Sequence, residues 1–202
     1  MSERRCYDMR KFTKRSLAMQ FIQLCDTIPL KDISVKRFLE FTEISKQTFY
    51  NYFKDKADLM NYAFEVAADS IIIDMDASLE GIYYGASQMA YVCLKHKDFY
   101  TQMAKYETQN SFSKCFAQNV EAVYHRKLVE AGFMTDFDAQ KKQIVHYFCV
   151  GICTFFIDWI CTGMKESPEY LANTIIECMP AGIRDALETK NAVGIDSAQL
   201  IC

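Results

Sequence analysis

Hydrophobic side chains recur at a helical spacing along most of the 202-residue chain. The first such row consists of Leu17, Phe21, Leu24 and Ile28, and Pro29 ends it. Similar rows predict about nine helices, over residues 12–27, 34–42, 45–53, 56–75, 86–94, 99–106, 112–131, 138–163 and 168–179, with a short helical piece over 183–187. With 7 Gly and 3 Pro, the chain has too few turn residues for an all-β protein. The pattern therefore predicts an all-α fold.

The segment from Ser34 to Leu59 has the spacing of two short helices joined by a tight turn and followed by a third helix. Ser34 and Ser45 each stand where an N-cap hydroxyl is expected. Phe49 and Phe53 are four residues apart and point inward. The opposite face of that helix carries the polar and basic residues Lys46, Gln47, Tyr50, Asn51 and Lys54. A helix face rich in hydrogen-bond donors and free of acidic residues suits the major groove of DNA.

This segment resembles the DNA-binding part of the TetR/AcrR family of bacterial transcriptional regulators. The resemblance covers about residues 10–60 and is most specific in the run Thr-Phe-Tyr-x-Tyr-Phe-x-x-Lys from Thr48 to Lys56. It departs from the family at Glu43, where a glycine is usual, and at Gln47, where a small residue is common. The resemblance implies that DNA is contacted by Ser34, Ser45, Lys46, Gln47, Thr48, Tyr50, Asn51, Tyr52, Lys54 and Lys56. Phosphate contacts are expected at Thr48, Tyr50, Tyr52 and Lys56, and base contacts at Lys46, Gln47 and Asn51.

Charge and helix order divide the chain into three predicted regions. Residues 1–60 contain 12 Lys/Arg against 8 Asp/Glu, whereas residues 61–202 contain 11 against 18, so the excess of positive charge lies with the DNA-binding segment. We expect a helix-turn-helix domain over residues 1–55 that begins with a loose basic arm over residues 1–11. A larger effector-binding and dimerisation domain is expected over residues 56–190, and a flexible tail over residues 191–202.

In the resembled family the last two long helices form a four-helix dimer interface, and the helices before them bind a small effector. The dimer interface is therefore expected at Phe155, Trp159, Leu171, Ile175, Ile176 and Met179. The effector pocket is expected among Tyr100, Met103, Tyr106, Phe112, Phe116, His146 and Cys149. Aromatic residues at helical spacing are more often plain core, and the pocket is what the resemblance implies.

The cysteine pattern and the absence of catalytic motifs argue against secreted, membrane-spanning and enzymatic classes of protein. The 9 cysteines include no CxxC pair, which favours free thiols in a reducing cytoplasm. The longest charge-free run, between Lys142 and Asp158, is shorter than the roughly 20 residues of a membrane span, and no signal peptide is apparent. No phosphate loop, nucleophile elbow or zinc-protease motif occurs. We expect neither an enzyme nor a cofactor or metal requirement.

The sequence thus predicts a cytoplasmic homodimer that regulates transcription. We expect a repressor that leaves a palindromic double-stranded DNA operator when a small-molecule effector binds. An activator, or a DNA-binding factor that needs no effector, is the alternative within the same fold. A different class, a thiol- or metal-binding sensor, stays open because His146, Cys149 and Cys153 share one helix face.

Overall fold

The computed structural model describes residues 2–105 and 112–188 of the chain. These residues form α-helices and one 3₁₀ turn, with no strand among them, which confirms the all-α prediction. The elements are α1 (Ser2–Cys25), the 3₁₀ turn η1 (Leu30–Asp32), α2 (Val35–Thr42), α3 (Lys46–Tyr52), α4 (Lys56–Asp74), α5 (Leu79–Lys95), α6 (Lys97–Lys105), α7 (Phe112–Glu130), α8 (Ala139–Cys161), α9 (Pro168–Glu177) and α10 (residues 181–188).

Short polar side chains start several helices at the expected positions. Ser34, Ser45, Asp138 and Ser167 each accept a hydrogen bond from the backbone N–H three residues later, at 3.1, 3.0, 3.1 and 3.2 Å. Each bond satisfies an N–H that would otherwise lack a partner in the first turn. Gly132 and Gly163 follow the ends of α7 and α8 with positive φ, the backbone conformation that commonly terminates a helix.

Two of the predicted helix boundaries are wrong. α1 begins at Ser2, so residues 2–11 of the expected loose arm are instead part of a helix; this stretch contains neither Gly nor Pro. α5 continues through Gly81 and Gly85, where a break was predicted. A Cβ at Gly81 would lie 2.1 Å from Asp76 Oδ1, and one at Gly85 would lie 2.3 Å from Met75 Sδ. These glycines therefore permit close packing of the preceding loop on α5.

The chain forms two compact units. The first unit contains the described residues up to Ser70 and those between Lys95 and Phe112, and the second contains the rest. The first turns of α4 join the first unit because Leu59 and Phe64 are buried there. α6 joins it as well, since the rings of Phe64 and Tyr100 meet edge to face at 6.2 Å. The predicted tail, residues 191–202, lies outside the described residues.

Aromatic side chains form the core of the first unit. Phe21 of α1 packs against Phe38 of α2 at 5.8 Å between ring centroids, and Phe38 packs against Phe49 of α3 at 6.0 Å. Phe49 in turn contacts Phe53 at 5.6 Å, and Phe99 of α6 contacts Phe21 at 6.4 Å. Edge-to-face pairs at such distances contribute about 0.5–1.5 kcal/mol beyond the apolar area they bury. This core fixes α2 and α3 against α1.

The second unit is organised around α8. Phe116 of α7 packs on Phe156 at 5.9 Å, and Tyr124 packs on Phe148 at 5.7 Å. Within the described residues, α8 is the one helix long and apolar enough to cross a membrane by length and composition, and 44% of its most apolar stretch is buried. The core helix of a soluble protein has the same composition. Much of this apolar helix is therefore not buried within its own chain.

Candidate nucleic-acid interface

One face of α3 is exposed and carries side chains that can donate hydrogen bonds. Lys46, Gln47, Tyr50, Asn51 and Lys54 are all exposed, while Phe49 and Phe53 on the other side are fully buried. The structure therefore places four of the predicted contact residues on the exposed side of α3, and Lys54 follows its C-cap Phe53. Side chains of this kind are suited both to phosphates and to the base edges of the major groove.

The turn between α2 and α3 keeps a helix-turn-helix geometry without the usual glycine. Glu43 occupies that position with φ of 55°, in the left-handed region. A non-glycine residue in this conformation costs free energy, which the packing of Phe38 against Phe49 on either side of the turn offsets. The departure at Glu43 therefore leaves the turn intact.

Two of the predicted phosphate contacts are already engaged with neighbours. Thr48 Oγ1 lies 2.9 Å from Ser45 Oγ, so the two hydroxyls share one hydrogen bond at the start of α3. Tyr52 is half-buried, with its ring 6.4 Å from that of Phe53. Tyr50 keeps an exposed ring that Lys46 Nζ approaches to 6.0 Å. Ser45 and Thr48 thus shape the start of the helix whether or not they contact DNA.

Lys56, for which a phosphate contact was predicted, has a partner within the chain. Its side chain is half-buried, and Nζ donates a hydrogen bond to the backbone carbonyl of Leu30. Burial lowers the pKa of this ammonium group, and the nearby Cys25 and Asp32 oppose that shift. Its contact with DNA stays a prediction.

Two exposed cations that the sequence analysis passed over lie at the start of α2. Lys36 and Arg37 occupy its first turn, directly after the Ser34 cap, and both are exposed. In helix-turn-helix proteins the first helix of the motif crosses the phosphate backbone. A Lys-Arg pair following an N-cap was the sequence feature that could have identified them.

Comparison with known proteins agrees with this geometry. Residues 80–180 match the family TetR_C_8, a transcriptional regulator C-terminal region. The match covers half of the chain. The chain belongs to the TetR family of transcriptional regulators.

Two comparisons with single proteins extend the likeness to most of the chain. The HTH-type dhaKLM operon transcriptional activator DhaS of Lactococcus lactis subsp. lactis (strain IL1403) is 25% identical over 179 residues, which cover 85% of this chain and 91% of the relative. A solved structure, the dihydroxyacetone kinase operon activator DhaS, superposes with a TM-score of 0.64 at 23% identity. The superposed part covers 85% of this chain and 96% of the DhaS chain. At this identity the likeness shows a shared fold.

In this TetR-family chain an apolar groove of about 620 Å³ runs along α8 and α9. The groove is lined by Tyr147, Phe148, Val150, Gly151, Ile152, Thr154, Phe155, Asp158, Thr174, Ile175 and Cys178. Tyr147 is 82% exposed, and Ile144 and Val150 are also exposed on the same side of α8. Large apolar side chains on a continuous exposed face indicate an interaction surface.

The six predicted dimer-interface residues divide into two groups. Phe155 and Ile175 line the groove, and Ile176 is half-buried. Trp159, Leu171 and Met179 are buried in the core of their own chain. Trp159 also donates its indole N–H to the carbonyl of Glu166 at 3.0 Å, which fixes the turn between α8 and α9. These three side chains hold α8 and α9 together and do not line the groove.

The predicted pocket residues fall in two units. In the first, Tyr100, Met103 and Phe112 are buried around Phe64, and the ring of Phe112 lies 5.4 Å from that of Phe64. In the second, Phe116 and Cys149 are buried. The side chain of His146 is 61% exposed, and its Nδ1 lies 3.1 Å from Glu121 Oε2. Tyr106 lies outside the described residues. The effector pocket stays a prediction.

The thiol and metal alternatives find little support in the structure. Among the described residues, no group of three or more His, Cys, Asp or Glu side chains is arranged to hold a metal ion. Burial raises the pKa of Cys25 to about 12 and that of Cys153 to about 12, and it also raises the pKa of Cys93 and Cys149. Thiolates are the reactive form, so these buried thiols are poorly suited to redox chemistry.

Proposed function

We propose that this TetR-family regulator binds a palindromic DNA operator as a homodimer. The observation that carries the proposal is the exposed face of α3, where Lys46, Gln47, Tyr50 and Asn51 stand together without an acidic residue on the helix, and exposed Lys54 follows shortly after it. Gln47 can form two hydrogen bonds to adenine, which contributes about 1–3 kcal/mol of discrimination. We place the DNA-binding domain in α1–α3 and effector binding and dimerisation in the later helices.

Dimerisation is part of the proposal because one short recognition helix provides too little contact for specific affinity. The groove along α8 and α9 is the surface we assign to the second copy. Gly151 supports this assignment, since a Cβ added there would meet nothing within 4 Å, so another helix can approach closely. Two copies related by a dyad would present two recognition helices about 34 Å apart, or a multiple of that spacing, to a palindromic site.

Two directions of regulation are supported by different observations. Repression relieved by a small effector is what the family resemblance of the N-terminal segment implies. Activation is favoured by the Lactococcus lactis relative, which is named an operon activator. In either case the effector would act through α4, because the boundary between the two units falls within this helix. A cytoplasmic location follows for a regulator that must reach DNA.

Selection of bound sequences from random double-stranded DNA tests the proposal. We expect enrichment of a palindrome whose half-sites are about 10–10.5 base pairs apart, or a multiple of that spacing. Absence of enrichment over competitor DNA would refute operator binding, and enrichment of a single half-site would refute the dimer. A reporter gene placed behind the selected site then gives the direction of regulation, because removal of the protein raises expression for a repressor and lowers it for an activator.

A further inference from the structure

The connection between α1 and α2 passes between two side chains that come from distant parts of the chain. Lys56, in the first turn of α4, donates to the backbone carbonyl of Leu30. Gln102, in α6, accepts from the backbone N–H of the same residue. The other end of the Gln102 amide donates to the carbonyl of Cys25 at 3.2 Å, at the last turn of α1. Both backbone polar groups of Leu30 are therefore bound by side chains, and its carbonyl also accepts from the backbone N–H of Ile33 at 3.2 Å.

Leu30 occupies a position from which it controls the DNA-binding motif. Its side chain is 1% exposed and lies in the core of the first unit, and Ile33 three residues later is buried as well. The next residue, Ser34, is the N-cap of α2. Because buried backbone groups need hydrogen-bond partners, Lys56 and Gln102 fix where this connection runs. A shift of the connection would move the start of α2 and, through the packing of Phe38 on Phe49, the exposed face of α3.

The α6 segment also approaches the end of α1 at a second point. His96, the residue before α6, lies with Nδ1 3.9 Å from the Asp26 carboxylate, directly after α1. The α6 segment thus meets the end of α1 and the start of η1 at separate points. This arrangement explains why α6, although far along the chain, belongs to the first unit.

We propose that Lys56 and Gln102 are positioning residues that hold Leu30 between them and so set the orientation of α2 and α3, and that neither binds DNA. The proposal rests on the proposed function, because it assigns a role in operator recognition. It departs from the phosphate contact that the family resemblance implies for Lys56. A lysine that binds phosphate adds to the salt dependence of DNA affinity, whereas a positioning lysine does not.

The first experiment measures operator affinity against salt concentration for the wild type, Lys56→Met and Lys54→Met. Lys54 is the matched comparison because it is an exposed lysine two residues away. Loss of one phosphate contact per protomer lowers the slope of log affinity against log salt by about 1.8 in a dimer, at about 0.9 for each phosphate. We expect this change for Lys54→Met. For Lys56→Met we expect an unchanged slope and about tenfold weaker operator binding. A slope lowered as in Lys54→Met would overturn the proposal.

Affinity for non-specific DNA separates positioning from a merely stabilising role. At a temperature where every variant is folded by circular dichroism, we expect Lys56→Met and Gln102→Leu to lower the ratio of operator to non-specific affinity about tenfold. An unchanged ratio for both variants would mean that the contacts only stabilise the fold. The double variant should lose little more than either single variant, because both act on Leu30. If the losses of the two single variants multiplied in the double variant, the two residues would act independently, which would contradict a common action on Leu30.

Amide hydrogen exchange in the free protein provides a readout that needs no DNA. The Leu30 N–H should exchange about tenfold faster in Gln102→Leu and also faster in Lys56→Met, while the Phe38 N–H within α2 serves as an internal reference. Unchanged exchange at Leu30 would overturn the proposal even if operator binding were never found. Conversely, failure of the wild type to select any operator would refute the proposed function and leave this measurement intact. If Lys56→Met does not fold, Gln102→Glu tests the same connection, since it removes the donor to Cys25 and keeps an acceptor for Leu30.

Discussion

Tyr147 offers the most direct test of the proposed dimer surface. Its side chain is 82% exposed although it lies at the centre of an apolar helix, and it lines the groove along α8 and α9. An aromatic residue in such a position gains from burial by a second copy. We predict that Tyr147→Asp converts the dimer to a monomer at micromolar concentration.

The size of the effect follows from the exposed surface. At this exposure Tyr147 presents on the order of 150 Å² to solvent. At about 25 cal/mol per Å², complete burial gives an upper bound of about 4 kcal/mol for each side chain. Ordering of the side chain and incomplete burial reduce this to roughly 2 kcal/mol. A two-fold dimer contains two copies, so the substitution should cost about 4 kcal/mol, or about a thousandfold in the dimer dissociation constant.

Sedimentation equilibrium over a range of concentrations measures this constant against the chain mass of 23.4 kDa. Tyr84→Asp is the matched control, because Tyr84 is an exposed tyrosine of α5 outside the groove. The control should dimerise as the wild type does. The reasoning would be refuted by a Tyr147→Asp protein that keeps the wild-type dissociation constant, or by a wild type that is monomeric at micromolar concentration.

Three further predictions concern packing, recognition and pH. Gly81→Ala should lower the melting temperature, because overpacking against Asp76 costs about 1–3 kcal/mol and outweighs a helix-propensity gain of at most about 1 kcal/mol. The control Gly182→Ala should not lower it, because the added Cβ would make an ordinary 3.4 Å contact. Equal stabilisation by both substitutions would contradict this prediction. Gln47→Ala should relax base preference at one position of each half-site, and an unaltered selected sequence would exclude its base contact. Burial raises the pKa of Cys25 to about 12, so its contribution to stability is complete below the unfolded thiol pKa of about 8.5 and is lost as pH rises from there. Urea unfolding at about pH 7.5 and about pH 10 should show this loss, and Cys25→Ala should reduce it.

The sequence by itself determined the features that depend on neighbouring residues. Ser34 and Ser45 cap α2 and α3 because a hydroxyl at an N-cap reaches an amide only three residues away. The inward side of α3 followed from the spacing of Phe49 and Phe53. The same local reasoning placed Lys46, Gln47 and the other polar residues of α3 on the opposite, exposed face. The all-α fold and the family were accessible for the same reason.

Only the tertiary structure shows which side chains each helix face contacts. Helical spacing assigns a residue to a side of its helix but does not name the partner, so the burial of Trp159 against its own chain was not predictable. Gly81 was taken as a break because the approach of Asp76 cannot be seen in the sequence. The hydrogen bond from Lys56 to the carbonyl of Leu30 joins residues 26 positions apart along the chain, so local sequence did not show it. Contacts of this kind depend on how the helices pack, and this packing makes α6 part of the first unit.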